Sequence, residues 1–278
     1  MRQPRVGDVI ALMESWFPTE TAMGWDAVGL VAGDPEAALT RVLLAVDPTR
    51  PVVAEAAALG AELLICHHPL FLRPVHGFST LTPKGRTMTD LGAAGCALYV
   101  AHTNADIAPH GVSEALAQRL GIGDLRPIVP SAPVAGGTSA DGGAGIGRVG
   151  SVPPQTLRAY AEQVAAALPP TAQGVRVAGD PDRIIERVAV LGGAGDDLFD
   201  AVVEAGADVY VTSDLRHHPA AEFLERGQAA LIDIAHWAGE WAWLPVLAER
   251  LRAALAESGA TVEVHVSSLV TDPWTFRV

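Results

Sequence analysis

The amino-acid sequence predicts an α/β fold: two related α/β domains with mixed, mostly parallel sheets. Three observations lead there. Short apolar runs alternate with Ala-rich helical stretches, the pattern of βαβ units. The alternation occurs twice, with shared residues at matching places. And 278 residues make about two domains at roughly 150 residues each.

In the first half, Arg41–Val46 (RVLLAV) reads as a buried strand, Pro51–Leu59 as a helix and Ala61–Cys66 (AELLIC) as a second strand. Gly85–Gly95 reads as a helix and Ala97–Ala101 as a third strand. The later half repeats the plan. Arg187–Leu191 is a strand, Asp197–Ala205 a helix, Asp208–Thr212 a strand, Pro219–Arg226 a helix and Ala229–Ile234 a strand. Gly60-Ala61-Glu62, an apolar run and His67-His68-Pro69 are echoed by Gly206-Ala207-Asp208, an apolar run and His217-His218-Pro219. Ala101-His102 with Asp106 is echoed by Ala235-His236 with Glu240. This is either an internal duplication or a helix-to-strand turn common in Ala-rich chains. Residues 131–147, rich in Gly, Ala and Ser, read as a mobile linker. The expected division is therefore 1–130 and 131–278. Tyr160–Leu168 reads as a further helix, with Gly174–Ala178 and Glu263–Val270 as further strands.

Composition narrows the function. Lys plus Arg is 19 against 32 Asp plus Glu, a net charge of −13. Such a chain repels a phosphate backbone over most of its surface, which argues against general nucleic-acid binding. The two cysteines, Cys66 and Cys96, lie in apolar runs and read as buried thiols of a reducing compartment. No apolar leader and no run of about 20 apolar residues is present, so no membrane partner and a cytoplasmic location are expected.

The chemistry lies with the nine histidines. Parallel sheets build their sites at the carboxyl ends of strands, and His67, His68, His102 and His236 each follow an expected strand end. His67 and His68 read as two metal ligands, or as one core-capping and one exposed ring. His102-Thr103-Asn104-Ala105-Asp106 offers an imidazole, two hydrogen-bonding side chains and a carboxylate in a turn. His236 and Glu240 stand four apart, one face of a helix, provided Pro245 does not break the helix carrying Glu240. The His67-His68 pair, Asp106 and His236 with Glu240 together supply three imidazoles and two carboxylates, enough for two divalent ions, with Zn, Fe, Mn or Co favoured over Mg or Ca. Asp214, His217 and His218 form either a second polar cluster or a helix start capped by Asp214 or a neighbour. Gly192-Gly193-Ala194-Gly195 reads as a tight strand–helix turn, since Asp196 and Asp197 would repel phosphate. Trp237, Trp241 and Trp243 read as core or subunit-interface packing rather than a base-stacking platform.

The stretches Trp25-Asp26-Ala27-Val28-Gly29-Leu30, Ile65-Cys66-His67-His68-Pro69-Leu70-Phe71, His102-Thr103-Asn104-Ala105-Asp106, Gly145-Ile146-Gly147-Arg148-Val149-Gly150 and Asp233-Ile234-Ala235-His236 with Glu240 occur in this order. They resemble the Nif-three-like dinuclear-metal-centre hexameric proteins, a family often labelled GTP cyclohydrolase 1 type 2. The likeness runs from about Gly7 to Val270. It implies a duplicated α/β subunit of a homohexamer, with His67, His68, Asp106, His236 and Glu240 at metal-ligand positions and Glu240 as the bridge. His102 matches a site-lining position, and His102 or a nearby carboxylate is the candidate proton shuttle. Ala27, Ala105 and Ala235 depart from the family's usual Asn, Leu and Gly. The implied activity is a dinuclear metal-dependent hydrolase acting on a nucleotide such as GTP or a related small molecule, with Arg73, Lys84 and Arg86 as candidate phosphate contacts. The alternative is a non-catalytic metal-binding hexameric assembly or metal-handling protein.

Overall fold

The computed structural model describes residues 3–131 and 143–278. Helix α1 (Val6–Trp16) is followed by β1 (Gly29–Ala32), β2 (Arg41–Ala45), α2 (Arg50–Leu59), β3 (Leu63–Cys66), α3 (Pro83–Ala94), β4 (Ala97–Val100) and α4 (Thr103–Ile107). Next come α5 (Val112–Arg119), β5 (Gly123–Arg126), β6 (Val129–Pro130), β7 (Gly145–Ile146), β8 (Arg148–Thr156), α6 (Leu157–Ala167), β9 (Arg176–Ala178) and β10 (Ile184–Ala194). The remainder is α7 (Phe199–Glu204), β11 (Val209–Ser213), α8 (His217–Glu225), β12 (Ala230–Ile234), α9 (His236–Trp241), α10 (Trp243–Glu257) and β13 (Glu263–Val266).

The chain forms two compact units. The first comprises Met1–Ala105 and Leu244–Thr271, the second Asp106–Trp243 and Asp272–Val278. This grouping differs from a division at residue 130. The reason is pairing: β13 runs parallel to β2, so the late chain completes the first unit's sheet. Most of the expected linker, residues 132–142, lies outside the described residues. Its flanks are joined by the short β6–β7 pair.

The first unit holds a five-stranded sheet of order β1-β4-β3-β2-β13. β4, β3, β2 and β13 are mutually parallel and β1 is antiparallel to β4. β3 and β4 are buried at every position, as strands covered on both faces must be. Leu43, Leu64, Leu98 and Val100 share one face and pack with Val53 and Leu91 of α2 and α3. Fully burying one such aliphatic side chain contributes about 1.5–3 kcal/mol. Local signals bound the helices. α2 has Pro51 in its first turn and ends on Gly60 at φ 65°. α3 starts at Thr82, whose hydroxyl accepts the Gly85 N–H, and ends on Gly95 at φ 64°.

The second unit holds a six-stranded sheet of order β5-β8-β10-β11-β12-β9. β10, β11 and β12 are parallel, while β9, β8 and β5 join antiparallel. Its core includes Tyr210, Leu231 and the stacked pair Phe199–Phe223, with ring centroids 4.4 Å apart. Among the described residues no helix is long and apolar enough to cross a membrane.

Candidate metal centre

In the first unit, His67, His68 and His102 leave the carboxyl ends of parallel strands. Past β3 the chain stays beside β2 for two more residues, through His67 N–H to Ala45 O (3.2 Å) and His68 N–H to Val46 O (2.8 Å). Pro69 then ends the ladder. His67 is fully buried, and its Nδ1 lies 2.9 Å from the Ala101 carbonyl. A carbonyl can only accept, so Nδ1 carries the proton and Nε2 becomes the ring's lone-pair nitrogen. His68 places Nδ1 2.7 Å from Asp47 Oδ1, and Asp47 also accepts the Thr271 hydroxyl. His102 places Nδ1 2.8 Å from Asp26 Oδ1. The rings of His67, His68 and His102 have centroids 5.1–5.6 Å apart. One ring nitrogen from each lies within 4.8 Å of the others. His67 and His68 thus turn to one place, and His102 stands with them.

The His-Thr-Asn turn is built to hold this ring. The Thr103 N–H and hydroxyl both donate to Asp26, Asn104 Oδ1 accepts the His102 N–H, and Asn104 Nδ2 donates to Phe17 O. Burial alone would raise the Asp26 carboxyl. The hydrogen bonds from His102 and Thr103 and the His102 charge outweigh it and hold Asp26 well below the ordinary carboxylate range.

In the second unit, His236 opens α9 and Glu240 lies one turn on, so the shared face exists. The break Pro245 threatened falls later: α9 ends at Trp241, and Pro245 sits in the first turn of α10, where its missing N–H is tolerated. His236 Nδ1 is 2.7 Å from Asp214 Oδ2, and its Nε2 is 2.9 Å from Glu240 Oε1. Glu240 is buried. Asp106 is half-buried on α4, at the chain position where the second unit begins.

The glycine run is not a turn. β10 continues to Ala194, and Gly193, at φ 83°, lies against the two candidate ligands. A Cβ there would stand 2.9 Å from Glu240 Oε1 and 3.4 Å from His236 Nε2. Asp214 does not cap α8, which starts at His217 behind Arg216 with no side-chain cap. His217 and His218 are exposed and belong to no ligand-forming group among the described residues. Trp237 and Trp243 are core, and the Arg119 guanidinium lies 5.5 Å over the Trp241 ring. Arg73 and Lys84 are exposed, while Arg86 donates to Thr80 O.

These residues suit borderline divalent ions. Imidazole nitrogens with one buried and one half-buried carboxylate form the candidate donor set, and a hydrogen bond from Nδ1 orients each imidazole, as metal-binding rings require. His236 Nε2 and Glu240 Oε1 are both acceptors in the tautomer that Asp214 selects, so a cation or a proton must reconcile them at 2.9 Å. Cys66, next to His67, is no thiolate ligand: burial pushes its thiol well above the ordinary range. A cavity of about 430 Å³ in the first unit is lined by Gly33, Glu62, Met88, Cys96 and Ala97 and by none of these histidines.

Known proteins share this sequence and this fold. The model of the Duf34/NIF3 (NGG1p interacting factor 3) family matches residues 4–273. A Streptomyces coelicolor protein named "GTP cyclohydrolase 1 type 2 homolog" is 47% identical over 99% of this chain and 95% of its own length. The solved structure of a Bacillus cereus protein related to NIF3 superposes with a TM-score of 0.89 at 25% identity, covering 100% of both chains. Staphylococcus aureus hypothetical protein SA1388 also gives 0.89, at 27% identity over 99% of this chain and 100% of that one.

Proposed function

This chain belongs to the Duf34/NIF3 family, and on that footing we propose that it is a metal-dependent hydrolase holding two divalent ions through His67, His68, Asp106, His236 and Glu240. The observation that carries the reading is the common orientation of four imidazoles. His67, His68, His102 and His236 each give Nδ1 to an oxygen, which leaves Nε2 as the ligating nitrogen of His67, His68 and His236 and as the proton acceptor of His102. When bound, the ions supply Lewis acidity and make water acidic enough to ionise near neutral pH.

The chain's own residues do the rest. His102 accepts a proton at Nε2 while its Nδ1–H stays on Asp26. Asp26, held as a carboxylate by Thr103, stabilises the imidazolium that results. The name given to the relatives points to a nucleotide such as GTP as substrate. An acidic chain must then gather positive charge locally, and the ions with Arg73 and Lys84 do so, while Arg86 serves first to shape its own loop. The exposed Leu72, Val75, Phe78 and Leu81 in the loop after the His pair fit contact between copies in a homohexamer. The two buried thiols fit the cytoplasm.

The test is elemental analysis of untagged protein followed by a nucleotide-hydrolysis screen of the loaded protein. About two Zn, Fe, Mn or Co per chain with turnover supports the reading. Metal without turnover moves it to a metal-binding assembly protein. A chain that refuses added Zn and Mn overturns it.

A further inference from the structure

Asp214 stands in a backbone conformation that aspartate adopts at a cost. It directly follows β11 and has φ 56°, one of three positive-φ non-glycine residues among those described. The left-handed region crowds Cβ against the backbone, and glycine would occupy it without penalty. The position nonetheless carries a carboxylate, and what that side chain touches is the His236 ring, Oδ2 to Nδ1 at 2.7 Å. Helix capping does not account for it, because α8 begins behind Arg216 without a side-chain cap. Core packing does not either, since the Asp214 side chain is 56% exposed.

Resting on the metal-centre reading above, we propose that Asp214 is a positioning residue. It fixes the His236 tautomer and ring plane so that Nε2, facing Glu240, is the ligating atom. The strained backbone is retained because only this conformation at the end of β11 brings the carboxylate to Nδ1. Two features make the arrangement specific. Without Asp214 the ring can protonate at Nε2 and donate to Glu240 Oε1, 2.9 Å away, which consumes both donor atoms in one hydrogen bond. And the first unit builds the same relation from other residues. Asp47, just past β2, bonds Nδ1 of His68, which lies two residues past the neighbouring parallel strand β3. Asp214, just past β11, bonds Nδ1 of His236, two residues past the neighbouring parallel strand β12.

The experiment measures Zn²⁺ affinity by competition with a chromophoric chelator, and the thermal midpoint of metal-free protein. It compares wild type, Asp214→Gly, Asp214→Asn and the exposed control Asp200→Asn. Asp214→Gly relieves the backbone and removes the carboxylate. Asp214→Asn tolerates the conformation and removes only the charge. The expected result is a loss of about 10- to 100-fold in affinity for both Asp214 variants. The metal-free midpoint of Asp214→Gly should be unchanged or raised, and Asp200→Asn should match wild type in affinity. The ¹⁵N shifts of the His236 ring in metal-free Asp214→Gly should show Nε2 protonated. Wild-type affinity in both variants overturns the positioning role and leaves the metal centre standing. Lost affinity with a lowered midpoint in Asp214→Gly shows a structural role and also overturns it. A wild type that takes up no Zn²⁺ overturns the metal centre itself, and this proposal with it.

Discussion

The two units carry one scaffold and load it differently. β2, β3 and β4 with antiparallel β1 correspond to β10, β11 and β12 with antiparallel β9. The correspondence reaches single hydrogen bonds. Glu62 accepts the N–H groups of Thr40 and Arg41 at the start of the neighbouring strand, and Asp208 accepts those of Glu186 and Arg187. Gly60 and Gly206 both end a helix at positive φ, and Arg41 and Arg187 both donate to the carbonyl just before it. The Gly-Ala-acid echo is thus a repeated structural unit with a shared hydrogen-bond plan. At the carboxyl ends the units diverge. Beyond β3 stand His67 and His68, whereas beyond β11 stands Asp214. Beyond β4 and β12 stand His102 and His236. The amino ends, which close the fold, are kept alike. The carboxyl ends, which carry the candidate ligands, are free to differ because no strand continues there to be disrupted.

The comparison can be broken first at Glu240, the buried carboxylate that the second unit sets beside its histidine. Glu240→Ala should lower bound metal at least tenfold by elemental analysis, and retained metal would remove Glu240 from the ligand set. Next is Gly193→Ala. Its Cβ meets the Glu240 carboxylate at 2.9 Å and its φ of 83° disfavours any L side chain. The expected cost is about 1–2 kcal/mol, read as a drop in thermal midpoint, together with weakened metal binding. Glu114 and the buried Arg148 sharpen the contrast, since Arg148 donates to the Gly145, Gly147 and Ala108 carbonyls in the second unit. Arg148→Met removes the donor to those carbonyls and leaves Glu114 with only His110 and Gln118, and should lower the midpoint while leaving metal content unchanged.

The smallest effect tests the shared amino-end plan. Burial would raise the Glu62 carboxyl, but the hydrogen bonds from Thr40 and Arg41 bring it below its ordinary value of 4.5. A depressed pKa stabilises the fold above the unfolded value and loses that contribution as pH falls through it. Glu62→Gln should therefore be less stable than wild type at pH 7, with the difference narrowing toward pH 3.5 in urea unfolding. A gap that stays constant with pH would show that shape, not charge, makes the contact.

Much of the site is legible in the residues alone. His67, His68 and His102 follow continuous apolar runs that announce strand ends, and the four-residue spacing of His236 and Glu240 survives because the helix breaks after Trp241. The orienting partners are not legible in this way. Asp47 looks like an ordinary turn residue, and nothing local distinguishes it from Asp34; Asp26 stands in a family-like stretch, but its histidine partner is not legible there. Their roles exist only because neighbouring strands end side by side. Gly193 is hidden for the same reason. Its surroundings read as a turn, whereas β10 runs on and glycine is required by a carboxylate 47 positions later in the chain. An Asp beside an apolar strand end, adjacent in the sheet order to a histidine-bearing strand end, is the signal to search for.

Periodicity by itself determined the α/β class and the twofold plan, and the motifs determined the candidate donor set and the family resemblance, because each depends on residues near one another along the chain. Tertiary structure alone decided that β13 returns to the first unit, that Asp47, Asp26 and Asp214 orient the histidines, and that Asp214 holds a costly backbone to do so. Those outcomes depend on which strands lie side by side, and hydrogen-bond geometry across strands is set by packing rather than by local propensity.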